Sequence, residues 1–156
     1  MLILLDIDGV MVTAKSWRQP EFLQDGFFAF NNKATLALQN IIRETNANIL
    51  LTTSHKSKFT VNQWRNIFEL RGISLNNINV LPENTKNLSR KEEILQWYNL
   101  NKSIDDYIII DDDKSLNALP EFIKCNLLQT NATVGLTESL ALDALQMIRS
   151  SKHFTT

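Results

Sequence analysis

Leu2-Ile-Leu-Leu-Asp6-Ile-Asp8-Gly9-Val10 is the stretch that decides the fold. Four consecutive apolar residues, stopped by an acid and then a glycine, have the length of a buried strand rather than of a helix. Two similar runs follow. One is Asn48-Ile-Leu-Leu-Thr52; the other is Tyr107-Ile-Ile-Ile110, which runs directly into Asp111-Asp112-Asp113. Weaker apolar runs at 78–81 and 126–129 supply candidate edge strands. Between these runs lie helical stretches with readable ends. Residues 34–44 place Leu36, Ile41 and Ile42 at helical spacing, and Thr60-x-x-Gln63 has the form of a capping box opening a stretch that ends at Gly72. Ser89-x-x-Glu92 repeats that signature ahead of Ile94, Leu95, Trp97 and Tyr98, and a last helix is predicted over 138–149. Strands alternating with helices argue for a mainly parallel sheet of about five strands, built from right-handed crossovers.

The 156 residues match the size of one domain, predicted to span 1–156, and a chain of this length buries roughly 70% of its unfolded surface without disulfides or a structural metal. Its single cysteine, Cys125, and two histidines, His55 and His153, cannot assemble a four-ligand Cys/His zinc site, and cysteine usage suits a reducing, cytoplasmic compartment. No basic leader and no apolar run near 18 residues is present, so neither a signal peptide nor a membrane partner is expected. A net charge of −1 does not announce a nucleic-acid surface, but five of the 17 acids (Asp6, Asp8, Asp111, Asp112, Asp113) form two knots in an otherwise mildly basic chain. Residues 13–32 are the least regular part. With Phe27, Phe28 and Phe30 they read either as a flap over a site or as a loop packing its rings into the core.

In parallel sheets, ligands bind beyond the carboxyl ends of the strands. The residues ending the three strong runs therefore converge: Asp6 and Asp8, then Thr52, Thr53 and Ser54, then Asp111 to Asp113. Carboxylates crowded together call for a cation, and hard oxygen ligands imply Mg²⁺.

This order of residues resembles that of the haloacid dehalogenase (HAD) superfamily. The resemblance lies in Asp6-Ile-Asp8-Gly9-Val10, the Thr52/Thr53/Ser54 cluster, a basic residue at Arg90-Lys91 and Asp111-Asp112, and it runs from Leu2 to about Asp113. The tail at Gly135-Leu-Thr137 is similar to that of small HAD domains related to RNA-repair proteins. The resemblance implies a three-layer Rossmann-like sandwich and a magnesium-dependent phosphatase. It makes Asp6 the nucleophile that becomes an aspartyl-phosphate, and Asp8 the general acid and then base. It assigns Thr52, Thr53 and Ser54, with Gly9, to the phosphoryl group, and Arg90 or Lys91, with Lys86 as rival, to its charge. It assigns the metal to Asp6, to the Asp8 carbonyl and to Asp111 or Asp112.

The remaining notable residues read more plainly. Asp113 is expected to cap the following turn, His55 to be a loop side chain near the site, Trp17, Trp64 and Trp97 to be core anchors, and Cys125 to pack inside. The interval from Asp8 to Thr52 leaves no room for a large cap domain. An open site of this kind suits a large phosphorylated substrate, such as a nucleic-acid end, or a partner that supplies the lid. Two other readings are a non-catalytic binding module of the same fold and a receiver-like phosphoacceptor. The receiver fits less well because its phosphorylated Asp lies on a later strand than its acidic pair. Neither the physiological substrate nor the oligomeric state is legible.

Overall fold

The computed structural model describes residues 1–14 and 21–153, the last three by backbone alone. Five strands, β1 (Leu2–Leu5), β2 (Asn48–Leu51), β3 (Ile78–Val80), β4 (Tyr107–Asp111) and β5 (Leu127–Gln129), form a parallel sheet in the order β3-β2-β1-β4-β5. The strongest apolar run is the central strand, covered on both faces, and the two weakest runs are the edges. Leu5 pairs with Leu51 on one side and with Ile110 on the other, so three strands reach the same level together. The next residues along the chain are Asp6, Thr52 and Asp111. Pairing continues one step further, with Asp6 N–H donating to Ile110 O at 3.0 Å and Thr52 N–H to Leu5 O at 2.9 Å.

Alternate strand residues feed two apolar layers, as the period of two requires. Ile3, Leu5, Ile49, Leu51, Ile108 and Ile110 pack with α1 (Asn32–Thr45), α2 (Val61–Leu70) and α5 (Glu138–His153). Leu4, Tyr107 and Ile109 pack on the other face with Ile94 and Trp97 of α3 (Arg90–Leu100) and Ile123 of the short α4 (Glu121–Lys124). The result is a three-layer α/β sandwich with no separate cap domain among the described residues.

Helix ends follow from local chemistry. Thr60 and Gln63 form the reciprocal capping box, and Ser89 accepts from Glu92 N–H at 3.2 Å. Asn31, which the sequence did not single out, caps α1 by accepting from Lys33 and Ala34 N–H, a contact worth about 1 kcal/mol. Two expectations change. Leu36 is 72% exposed, because α1 buries the stripe Ala34, Ala37, Leu38, Ile41 and Ile42, and Leu36 sits about 200° away from Leu38 around the helix axis. Cys125 is exposed, since it ends α4 on the solvent side of the sheet. Of the tryptophans, Trp64 and Trp97 are buried as expected, whereas Trp17 lies outside the described residues.

For the irregular stretch, the described part follows the second of the two readings, a loop packing its rings into the core. Residues 21–29 form a tight turn in which Leu23 N–H donates to Phe27 O at 2.9 Å and Ala29 N–H to Glu21 O at 2.7 Å. Arg71, just past α2, staples it down. The guanidinium meets both Asp25 oxygens at 2.6 and 3.1 Å, donates to the carbonyls of Phe27 and Phe28, and lies 4.9 Å from the Phe30 ring centre. Its hydrogen bonds hold the Asp25 carboxyl below the usual range, and Phe27 and Phe30 are buried. In this part the stretch is core-anchored rather than a free flap. No helix among the described residues is long and apolar enough to cross a membrane.

Candidate active site

Because β1, β2 and β4 end in register, Asp6, Thr52 and Asp111 lie side by side, all three buried. Arg90 reaches them from the first residue of α3. Its Nη1 lies 2.5 Å from Asp111 Oδ2, 3.5 Å from Asp6 Oδ1 and 3.4 Å from Thr52 Oγ1, while Nε is 3.8 Å from Glu93 Oε1. A cation at a helix N-terminus opposes the helix dipole, and the three carboxylates here offset that cost. Lys91 and Lys86 are not brought to this point. Lys91 gives its backbone N–H to Ser115 Oγ, Lys86 is exposed, and neither makes an ion pair among the described residues.

The electrostatics are strained in one direction. Burial, reinforced by the charge of Asp111 and opposed by Arg90, pushes the Asp6 carboxyl up to about 9. Burial also raises Asp111, against the pull of Arg90. Burial works against the Arg90 charge, yet Asp111 and Asp6 outweigh it and hold the guanidinium above its ordinary value. Asp112 completes the surplus of negative charge: ligand oxygens of Asp6, Asp111 and Asp112 lie within 4.8 Å of one another. Three hard oxygen donors facing a single guanidinium have the chemistry of a Mg²⁺ site. Asp111 and Asp112 both lie in this cluster.

Gly9 is what lets Asp112 in. With φ at +80° and no side chain, it lets the Asp112 carboxylate pack against its Cα, where a Cβ would collide with that carboxylate. Thr130, which follows β5, fixes the same loop by donating from Oγ1 to Gly9 O at 2.7 Å. Asp113 caps the 3-10 turn Lys114–Ala118 by accepting from Ser115 N–H at 2.8 Å, as its position suggested. Thr53 is buried, and its Oγ1 accepts from His55 N–H at 3.3 Å, while Ser54 is exposed and makes no recorded side-chain contact among the described residues.

The opposite side of the site is open. The Asp8 side chain is 52% exposed, and its Oδ2 lies 2.7 Å from His55 Nε2. Beside it runs a network that sequence reasoning missed. Lys56, buried in the 3-10 turn Lys56–Lys58, places Nζ 2.9 Å from Glu93 Oε2, and Glu93 in turn faces Arg90. A faint signal existed: Glu93 stands three residues after Arg90, and Lys56 directly follows the Thr-Thr-Ser-His run. A cleft of about 290 Å³ between residues 81–88 and α3 shares Glu93 with this network but includes none of Asp6, Asp8, Asp111 and Asp112.

Solved structures of similar fold include a D,D-heptose 1,7-bisphosphate phosphatase from B. bronchiseptica complexed with magnesium and phosphate. It is 14% identical, with 93% of this chain and 98% of that chain covered and a TM-score of 0.49. Another is 3-deoxy-D-manno-octulosonate 8-phosphate phosphatase from Moraxella catarrhalis in complex with magnesium, phosphate and KDO. It is 15% identical, with 99% and 90% covered and a TM-score of 0.46. Among curated proteins, none matches the sequence. The family model described as the HAD domain in Swiss Army Knife RNA repair proteins matches residues 2–141, which takes in every strand and every carboxylate described above. By that match the chain belongs to the HAD superfamily, in the family of HAD domains found in Swiss Army Knife RNA repair proteins.

Proposed function

We propose that this chain is a phosphoric monoester hydrolase, that residues 1–156 act as one hydrolase domain, and that Asp6 is its nucleophile. The observation that carries the reading is the meeting of Asp6, Thr52, Asp111 and Arg90 at one level of the sheet, with Asp112 against Gly9. A plain structural site does not stack three carboxylates in a buried place with one cation. An Asp6 oxygen attacks phosphorus as the bond to the leaving oxygen breaks, and the product is an aspartyl-phosphate on Asp6. Asp8 gives its proton to the leaving oxygen, then takes one from the water that attacks the phosphorus and frees Asp6. Thr52 and Thr53 donate hydroxyls to the phosphoryl oxygens, and Arg90 balances their charge while it aligns the Asp6 carboxylate. Asp6, the Asp8 carbonyl, Asp111 and Asp112 would hold Mg²⁺, which would supply Lewis-acid neutralisation of the phosphoryl charge and favour the ionised form of Asp6.

For the substrate we favour a phosphate on a macromolecule, with a nucleic-acid end as the leading class. Asp8 stands at an open edge, so a large substrate would exclude water that a cap domain excludes elsewhere. The family's description points to the same class.

The test is phosphate release with Mg²⁺ from 4-nitrophenyl phosphate and from a terminally phosphorylated oligonucleotide. The expected result is a kcat/KM at least about tenfold higher on the oligonucleotide, and loss of both activities by about 10³-fold or more in Asp6→Asn with folding intact. Equal turnover of a small sugar phosphate would remove the macromolecular substrate. Undiminished turnover by Asp6→Asn would remove the mechanism, and a non-catalytic module would release no phosphate at all.

A further inference from the structure

We propose that His55 is the positioning residue for leaving-group protonation, holding the Asp8 carboxyl where it meets the departing oxygen; this rests on the phosphatase reading above. Asp8 cannot hold itself in place. It is a short, half-exposed side chain on a turn, next to a glycine of positive φ, and among the described residues its carboxyl has no partner except His55 Nε2 at 2.7 Å.

His55, by contrast, has no freedom to follow Asp8. Its ring packs edge-on against Phe27, with centres 5.4 Å apart at 79°, and against Phe28, 5.8 Å apart at 71°. Phe27 is itself buried under the Arg71 staple. On the chain side, His55 N–H donates to Thr53 Oγ1, and the following residue is anchored twice. Lys56 Nζ is paired with Glu93, and Lys56 O accepts from Trp64 Nε1–H at 3.1 Å. A mobile carboxyl bonded to a fixed imidazole takes up the position of the imidazole.

The bonding divides the carboxyl between two tasks. With Nε2–H donating to Oδ2, Oδ1 is left to carry the transferred proton. In the first half-reaction the Oδ1–H proton passes to the leaving oxygen as its bond to phosphorus breaks and the Asp6–phosphorus bond forms. In the second, Oδ1 takes a proton from the attacking water. His55 acts through Asp8 alone, as the partner that fixes its carboxyl.

A positioning role of this kind has a signature that loss of structural support does not share. Protonation matters little for an acidic leaving group and much for a basic one, so removing His55 should penalise phenyl phosphate more than 4-nitrophenyl phosphate. The parameter to read is kcat/KM, which reports the steps up to departure of the leaving group. His55→Ala is expected to lower kcat/KM about 30-fold on phenyl phosphate and about threefold on 4-nitrophenyl phosphate. His55→Gln, which keeps an N–H donor on a side chain of similar reach, should recover most of the phenyl phosphate loss. Equal losses on the two esters, no loss on either, or a Gln variant no better than Ala would overturn the inference. If Asp6→Asn is inactive while His55→Ala acts equally on both esters, only the His55 role falls. If the wild type releases phosphate from neither ester, or Asp6→Asn matches it, the phosphatase reading fails and His55 goes with it.

Discussion

The two sides of the site are built on opposite principles. Asp6, Asp111 and Arg90 are buried, fixed by strand register and helix packing, and electrostatically unsettled: two carboxyls are pushed toward their neutral form by lack of water. Asp8 and His55 stand at the open edge, on loops, and are held by one hydrogen bond and a bed of phenyl rings. In the proposed mechanism, the buried side stores tension that a cation and a phosphoryl group would relieve. The open side keeps Asp8, the proposed proton carrier, exposed to solvent. Charge is concentrated where the fold is stiff, and exchange with solvent is left where it is loose.

The buried side breaks first when its cation is lost. Arg90→Ala strips from Asp6 and Asp111 the one guanidinium that meets them among the described residues, and breaking a buried pair costs about 3 kcal/mol or more. Activity should fall by at least about 10³-fold if Arg90 serves the phosphoryl group as proposed. Guanidinium chloride unfolding and phosphate release measure the two losses; an Arg90→Ala protein as stable as wild type would mean that the ion pair is not what holds the carboxylates together.

Metal and pH sharpen the contrast at intermediate size. The folded Asp6 carboxyl lies at about 9 against 3.8 in the unfolded chain, so the folded state holds the extra proton between those values. Stability of the metal-free protein therefore declines as pH rises from about 4 to about 9. Mg²⁺ should counter that decline, stabilising by about 2.7 kcal/mol at 100 times its dissociation constant, and more steeply at pH 8 than at pH 6. Asp112→Ala should lose most of the metal response. Melting curves across pH with and without Mg²⁺ decide it, and a metal-free protein that gains stability toward pH 9 would contradict the buried-side electrostatics.

The open side should yield the smallest effect. Phe28 supports His55 and touches Phe22, which is 59% exposed. Phe28→Ala is expected to lower the oligonucleotide advantage in kcat/KM by about threefold, within the range of one aromatic contact. Phe27→Ala, by contrast, should act chiefly on stability, since Phe27 is core. A Phe28→Ala variant that loses small and large substrates alike would show that the ring supports the loop and not the substrate.

How much of this was legible in the sequence differs by the range of the interaction. Strand ends were readable because each apolar run stops at a polar residue, and register then brought Asp6, Thr52 and Asp111 together. Capping at Thr60 and Ser89 was readable for the same local reason. The choice among Arg90, Lys91 and Lys86 was not, because it turns on the direction in which the first turn of α3 faces the sheet. Likewise Leu36 spaced well with Ile41 and Ile42 but fell outside the stripe that α5 covers. The Lys56–Glu93, Arg71–Asp25 and Asp8–His55 pairs join residues 37, 46 and 47 positions apart, and no local pattern announces such partners.

The shared level of Asp6, Thr52 and Asp111 also dictates where this chain can accept added or deleted residues. Loops beyond the row can grow or shrink without disturbing it. A single residue inserted inside β1 would turn every following side chain to the opposite face, sending the Asp6 carboxyl away from Arg90 and Ile3 and Leu5 away from their layer. The spacing of Asp6, Thr52 and Asp111 is thereby inherited from the sheet as a whole, whereas that of Asp8 and His55 depends on the loops that carry them.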